Sequence, residues 1–248
     1  MSKTGGGRGT NQYGVKGAGK TVPSKKDNRN PEGKIELLAP DPNREWDLHT
    51  VQFGETPLDE DARDFLTDRY QHIQTKDELN VAESENIFEA MEWLNEHPFN
   101  APIDLLNQSA LLDLHRRMYG QVWTWAGHTR QRETNIGIDP LEITHEWEIL
   151  LRNTQFQIEN ETHPPDEICV RLHRRMLQIH CFPNGNGRHA RLVANELGRI
   201  LELGTDAFTW GQRSGEGREE ELRRQYLDAL KHADATDDYG PLIAIATS

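Results

Sequence analysis

Apolar residues recur at steps of three and four positions along most of the chain beyond residue 70. This period matches the turn of an α-helix, so the pattern predicts a mainly helical protein. Thr75 and Glu78 have the spacing of a capping box and mark the start of the first long helix, which the pair His97-Pro98 ends. The same spacing predicts helices over residues 104–119, 140–161, 165–179, 188–203, 218–233 and 239–246, after a short helix beyond Pro57.

Residues 128–138 do not follow the helical pattern. They are polar, and Asn135 and Gly137 permit a turn, so we predict a short β-hairpin there. Strands and helices do not alternate elsewhere, and no segment repeats. The predicted class is therefore all-α with one small hairpin.

Composition divides the chain into two parts. Residues 1–45 are rich in glycine, lysine and asparagine, and residues 1–34 carry eight Lys and Arg against two acids. This composition is typical of a disordered basic tail, whereas residues 46–248 form the predicted domain. The tail contains Gly14-Val-Lys-Gly-Ala-Gly-Lys-Thr21, a match to the phosphate-loop pattern. No strand precedes the match and no helix-forming segment follows it, so we interpret it as coincidental.

Charge and hydropathy exclude several classes of function. The formal net charge is −13, which disfavours unaided binding to nucleic acid. No apolar run reaches the roughly 18 residues of a membrane-spanning helix, and the N-terminus has no apolar signal core. Cys169 and Cys181 provide neither a disulfide framework nor a zinc site, so a cytoplasmic location is expected.

Groups suited to phosphate chemistry are concentrated between His180 and Arg191, which read His-Cys-Phe-Pro-Asn-Gly-Asn-Gly-Arg-His-Ala-Arg. His180 ends one predicted helix, and Arg188 and Arg191 lie about one turn apart at the start of the next. Gly185 and Gly187 let a ligand approach the backbone, and the first N–H groups of the helix attract anions. Guanidinium groups fork phosphate oxygens and imidazole accepts a hydroxyl proton, so the stretch suits attack of a hydroxyl on a bound phosphate.

A simpler interpretation stays open on these residues alone. A histidine at a helix end, followed by glycines and asparagines, also describes a helix cap and a connector. Phe182 is interpreted as an anchor that packs the loop onto the core. Four histidines in this half of the chain have no carboxylate at ligand spacing on a shared face, so no histidine metal site is predicted. They are His163, His173, His180 and His189.

The stretch resembles the signature of the Fic/Doc (Fido) family, which is His, any residue, Phe, any residue, Asp or Glu, Gly, Asn, Gly, Arg, two residues, Arg. The matching residues are His180, Phe182, Gly185, Asn186, Gly187, Arg188 and Arg191. Outside the motif, five segments look like a subgroup called mobile mystery protein B, and the resemblance covers about residues 50–248. They are Leu79-Asn80, residues 122–127, Arg130, residues 135–137 and residues 208–211. The resemblance implies an all-α Fic (Fido) domain with a β-hairpin flap beside the active-site loop.

The resemblance also implies a reaction and a role for each motif residue. Most characterised members transfer AMP from ATP to a protein hydroxyl with Mg²⁺. On that basis His180 is the general base, Arg191 holds the γ-phosphate, and the flap docks the target segment by strand addition. The implied ligands of the α- and β-phosphates are Gly185, Asn186, Gly187 and Arg188, and the flap residues are Thr129, Arg130, Asn135, Ile136 and Gly137.

The sequence departs from the family pattern at Asn184, where most members carry the acidic metal ligand. An amide oxygen can bind Mg²⁺ or Mn²⁺ but brings no charge, so weak metal binding is expected. Cys181 replaces a frequent proline and is interpreted as a small packed side chain.

Many Fic proteins also have an inhibitory helix whose glutamate pairs with the second motif arginine. Residues 75–96 are the counterpart here, with Glu83 and Glu85 as candidates and Glu83 preferred. Neither has Ser or Thr four residues earlier, and a solvated glutamate on an acidic helix remains the alternative.

The sequence thus predicts a Fic-type adenylyltransferase that moves AMP from ATP to a Ser, Thr or Tyr of a protein target. Two alternatives stay open: a nucleotide-binding regulatory module with weak or no catalysis, and transfer of a different phosphate-linked group. Expected partners are the protein substrate and ATP, with a homodimer or an antitoxin partner left open, and neither nucleic acid nor membrane is expected.

Overall fold

The computed structural model describes residues 61–204, 207–211 and 219–248. The predicted tail and its phosphate-loop match at 14–21 lie outside these residues. Within the described part, short 3₁₀ helices cover Ala62–Phe65, Asp68–Tyr70 and Pro140–Glu142. The α-helices there are α1 (Lys76–Glu96), α2 (Pro102–Leu105), α3 (Gln108–Tyr119), α4 (Ile143–Glu159), α5 (Pro165–Ile179), α6 (Asn186–Ile200), α7 (Glu219–Thr236) and α8 (Gly240–Ala246).

The helix boundaries follow the capping signals in the sequence. The predicted capping box of α1 is present, because the Glu78 N–H donates to Thr75 Oγ1 at 3.2 Å and the Thr75 N–H donates to Glu78 Oε2 at 3.1 Å. The single helix predicted over residues 104–119 is interrupted by Asn107. Its side-chain oxygen accepts from the Ala110 N–H at 2.9 Å and so caps α3.

Helices α5 and α6 form the centre of the fold. Helix α5 packs between α4 and α6, α1 packs on α3, and α3 in turn contacts α6. The largest fully buried side chains include Trp123, Trp147, Tyr119 and Phe182. Phe182 belongs to the loop between α5 and α6, and Trp147 and Tyr119 contact that loop. Burial of each such ring contributes on the order of 2 kcal/mol, so these contacts anchor the loop in the core.

In the described chain no strand is assigned at residues 129–138, where the sequence predicted a β-hairpin. The buried Arg130 side chain occupies the carbonyl groups that a strand ladder would use. Its Nε donates to the His180 carbonyl at 2.6 Å, its Nη1 to the Arg132 carbonyl at 2.9 Å, and its Nη2 to the Ile138 carbonyl. The Arg130 side chain, together with backbone bonds from the Arg130 N–H to the Cys181 carbonyl (2.9 Å) and from the Ile138 N–H to the Ile179 carbonyl (3.5 Å), therefore holds this segment against the end of α5.

None of the described helices combines the length and the apolar character that crossing a bilayer requires.

Candidate active site

His180 caps the C-terminus of α5 in a left-handed conformation, with φ +55° and ψ +63°, and its N–H donates to the Met176 carbonyl at 3.0 Å. This conformation is uncommon outside glycine, and it turns the chain from the helix into the loop. The imidazole is buried, and burial together with the nearby Arg130 lowers its pKa to about 4. His180 is therefore a neutral imidazole at pH 7.

The loop after His180 is anchored by Phe182, as the sequence predicted. The Phe182 ring stacks on His115 with ring centroids 3.5 Å apart and meets Trp147 edge-on at 5.7 Å. Cys181 is buried, and burial raises the pKa of its thiol, which agrees with the predicted packing role.

Asn186 braces the loop through its side chain. Its Oδ1 accepts from the Phe182 N–H at 2.9 Å, and its Nδ2 donates to the Phe182 carbonyl at 2.8 Å. The side chain is buried and closes the loop on itself. The amide of Asn186 thus shapes the nucleotide-binding loop that the resemblance implied, instead of projecting out of it.

The two glycines of the loop differ in what surrounds them. Gly185 has φ +79°, and a Cβ built there would lie 2.6 Å from the Tyr119 ring. A Cβ at Gly187 would meet no atom within 4 Å. Gly185 is therefore required by the fold, whereas Gly187 leaves open space beside the first turn of α6.

The two motif arginines have different partners. Arg188 forms an ion pair with Glu83 of α1, and its guanidinium lies 5.2 Å from the centroid of the Tyr119 ring. Arg191 has no hydrogen bond or ion pair with any residue that the structure describes. Within the described chain, the guanidinium of Arg191 is therefore the one of the two that is open to an incoming anion.

Of the two candidate inhibitory glutamates, only Glu83 contacts a motif residue within the described chain. Its carboxylate is 1% exposed and also accepts from Trp123 Nε1 at 2.7 Å. The resemblance implied a pair with Arg191, but the structure pairs Glu83 with Arg188. Glu85 is exposed and lines a surface groove with Ser84 and Phe88.

The predicted flap residues surround His180 in part. A Cβ built at Gly137, which has φ +113°, would lie 2.8 Å from His180 Cβ and 2.6 Å from Arg130 Nη2. Because Gly137 has no side chain, its backbone can lie directly against His180. Asn135 and Ile136 are exposed, and Thr129 is partly buried.

Asn184 does not form a resident metal site with its neighbours. Its Oδ1 accepts from the Gly185 N–H at 2.6 Å, and the described residues contain no group of three or more His, Cys, Asp or Glu arranged around a metal position. One neutral amide oxygen does not fit a protein-held Mg²⁺, which needs carboxylates or phosphate oxygens as well.

Three residues of this site escaped the sequence interpretation: His115, Tyr119 and Trp123. All three are buried, and they contact Phe182, Gly185 and Glu83, respectively. The sequence contains one signal for His115, because it is a polar residue on the apolar face of α3, between Leu111 and Met118.

Comparison with known proteins agrees with this geometry. Residues 105–197, from the end of α2 to α6, match the model of the Fic/DOC family. This segment of the chain is therefore similar to the Fic/DOC family. The subgroup stays a prediction, and a search of curated proteins gave no match.

Solved Fic proteins share the fold at low sequence identity. A Fic family protein from Desulfovibrio desulfuricans is 19% identical with a TM-score of 0.52, and the match covers 67% of this chain and 50% of that one. BepC from Bartonella tribocorum, solved with bound AMPPNP, is 16% identical with a TM-score of 0.54, covering 82% of this chain and 97% of that one. The N-terminal Fic domain of a Bep effector from Bartonella quintana is 15% identical with a TM-score of 0.52, covering 71% and 83%. The chain thus spans half of the first structure and nearly all of BepC, and these matches establish the all-helical Fic fold.

Proposed function

We propose that this protein is a Fic-type adenylyltransferase that moves AMP from ATP to a Ser, Thr or Tyr hydroxyl of a protein target. The observation that carries the proposal is the grouping of a neutral His180, the open Gly187 turn and the two motif arginines around one rigid loop. BepC, which shares the fold, was solved with AMPPNP, an analogue of ATP.

The proposed step is a displacement at the α-phosphorus. The target hydroxyl oxygen forms a bond to the α-phosphorus, the bond from this phosphorus to the oxygen bridging to the β-phosphorus breaks, and pyrophosphate leaves. The hydroxyl proton passes to His180. Backbone N–H groups at the start of α6 and the guanidinium groups of Arg188 and Arg191 neutralise the phosphates. The negative charge of a bound nucleotide raises the pKa of His180 from about 4 towards neutrality, which makes it a better base.

The flap segment supplies the proposed docking site for the target. Arg130 holds its two ends near His180, and Ile136 is 48% exposed between them. A target strand that pairs with the exposed backbone of residues 131–136 brings its hydroxyl beside His180. We also propose that the protein belongs to the mobile mystery protein B subgroup. Its proposed partner is either a second copy of the chain, in a homodimer, or an antitoxin.

Asn184 favours a second candidate function, nucleotide binding without turnover. The amide oxygen is engaged by the Gly185 N–H and carries no charge, so metal must arrive with the nucleotide phosphates. A module of this kind binds ATP through Arg188 and Arg191 and does not depend on His180.

The two functions are separated by labelled ATP in the presence of Mg²⁺ or Mn²⁺ and cell lysate. The adenylyltransferase labels a protein, and His180→Ala abolishes the label while it leaves ATP binding intact. Absence of label from the wild type and from Glu83→Gln with either metal, together with ATP binding measured by calorimetry, supports the binding module instead. A panel of other nucleotide donors read by mass spectrometry detects transfer of a different phosphate-linked group.

A further inference from the structure

His115, on the buried face of α3, joins the start of the flap segment to the loop between α5 and α6. The Gly127 N–H donates to His115 Nδ1 at 3.0 Å, two residues before the flap begins at Thr129. On the other side of the ring, His115 Nε2 lies 3.2 Å from the carbonyl oxygen of Asn184. The imidazole is thus a bridge between two backbone segments that are 57 residues apart in sequence (184 − 127).

These two contacts fix the tautomer of the ring. A backbone N–H can only donate, so Nδ1 must accept and carries no proton. A carbonyl can only accept, so Nε2 must carry the proton. Burial and the neighbouring His189 lower the pKa of His115 well below its usual value, which agrees with a neutral ring.

Packing restricts the His115 ring to one orientation. His115 stacks on Phe182 with centroids 3.5 Å apart and planes 12° from parallel, and His189 meets it edge-on at 5.3 Å. The ring is fully buried. Its Nε2–H therefore holds the Asn184 carbonyl at a set position.

We propose that His115 is a positioning residue for the nucleotide site, acting through the Nε2–H bond that fixes the peptide joining Asn184 to Gly185. That peptide leads into Gly185, the residue that caps the N-terminus of α6, whose first N–H groups are where phosphate is expected. A loop that loses this bond keeps its glycines and arginines but presents them in a wider set of orientations. The inference rests on the proposed nucleotide binding, and it assigns a role to a residue outside the family motif.

Two substitutions separate the two hydrogen bonds of the ring. Gln at position 115 places an N–H₂ donor near the position of Nε2 and so retains the bond to Asn184. Asn places an acceptor near the position of Nδ1 and retains only the bond from Gly127. If the role of His115 were purely structural, both variants would bind AMPPNP more weakly, each in proportion to its loss of thermal stability.

The experiment measures the Kd for AMPPNP and the Tm of the full chain for wild type, His115→Gln, His115→Asn and His115→Phe. We expect His115→Gln to remain within about twofold of the wild-type Kd, and His115→Asn and His115→Phe to bind about tenfold more weakly. Asn86→Leu is the matched control, because buried Asn86 also bridges a carbonyl (Arg117) and an N–H (Gln121), away from the loop. It should lower the Tm without changing the Kd.

Equal loss of affinity in the Gln and Asn variants overturns the inference, as does an unchanged Kd in all three. If the wild type does not bind AMPPNP while it remains folded, the proposed function fails and this inference fails with it. Should the Asn and Phe variants not fold, nitrogen-15 NMR of wild-type His115 supplies the readout. Nucleotide addition must shift the Nε2 resonance while Nδ1 stays unprotonated, and an unmoved resonance contradicts the proposal.

Discussion

Glu83 and Arg188 form an ion pair that joins α1 to the first turn of α6, and the Glu83 side chain is 1% exposed. The other carboxylate oxygen accepts from Trp123 Nε1 at 2.7 Å, so the acid is held from two directions. A phosphate and this carboxylate compete for the same guanidinium group. The protein's own acid therefore partly occupies the proposed nucleotide site.

Glu83→Gln should tighten AMPPNP binding by about tenfold, because the amide keeps an acceptor for Trp123 but no longer competes as an anion for Arg188. Calorimetry measures the effect. Glu85→Gln is the control on the exposed face of the same helix and should leave the Kd unchanged. Weaker binding by Glu83→Gln would show that the acid orients Arg188 for the nucleotide and does not compete with it.

Helical periodicity allowed much of this fold to be predicted, and it agrees with the preference for Glu83 over Glu85. Glu83 is four residues after the buried Leu79 and shares its helix face, whereas Glu85 does not. The choice of Arg188 as its partner depends on how α1 packs on α3 and α6, which no local pattern contains. The contact of Arg130 with the His180 carbonyl, 50 positions away, is likewise absent from any local pattern, and the described segment shows this contact where the sequence predicted strand pairing.

The two loop glycines should respond in opposite ways to the same substitution. Gly185→Ala should lower the free energy of unfolding by more than about 2 kcal/mol, because a left-handed φ and a Cβ against the Tyr119 ring both oppose it. Gly187→Ala meets no atom within 4 Å and should leave stability equal or higher, but its methyl group should weaken AMPPNP binding. Urea unfolding and calorimetry of both variants test the pair. Equal losses of unfolding free energy in the two variants would contradict the different surroundings of Gly185 and Gly187.

Asn184→Asp should make nucleotide binding depend on Mg²⁺. A carboxylate adds the negative charge that the amide lacks, so we expect Mg²⁺ to tighten AMPPNP binding about tenfold more in the variant than in the wild type. The measurement is the Kd with Mg²⁺ and with EDTA. Asn160→Asp, on the exposed end of α4, controls for the added charge. No added metal dependence would mean that residue 184 does not reach the metal.

Arg130→Lys should loosen the flap segment without unfolding the domain. A lysine has a single ammonium group and cannot reproduce the planar fork that reaches the carbonyls of His180, Arg132 and Ile138. Exchange of the backbone N–H groups of residues 130 and 138, which donate to the Cys181 and Ile179 carbonyls, should then accelerate by about tenfold, which corresponds to the loss of roughly one hydrogen bond. Arg132→Lys, whose side chain pairs with Asp61 at the surface, is the control. Unchanged exchange in Arg130→Lys would show that the segment is held by other contacts.

Acid should destabilise the domain through four buried histidines. Burial lowers the pKa of His180 to about 4 and those of His173 and His189 to about 3, and it lowers the pKa of His115 as well. An unfolded histidine has a pKa of about 6.5, so between pH 6.5 and about 4 the unfolded chain binds protons that the native chain does not. Stability therefore falls as the pH falls through this range, by up to about 1.4 kcal/mol per pH unit for each histidine.

His173→Gln tests this origin of the acid sensitivity. His173 is fully buried and donates to or accepts from the Tyr226 hydroxyl at 2.7 Å, and glutamine can keep that contact without titrating. The slope of unfolding free energy against pH between 6 and 4.5 should drop by about one proton, or about 1.4 kcal/mol per pH unit. His145→Gln, at an exposed position on α4, is the matched control for the substitution itself. A slope that is the same in all three proteins would assign the acid sensitivity to carboxylates instead, because these titrate in the same range and are untouched by either substitution.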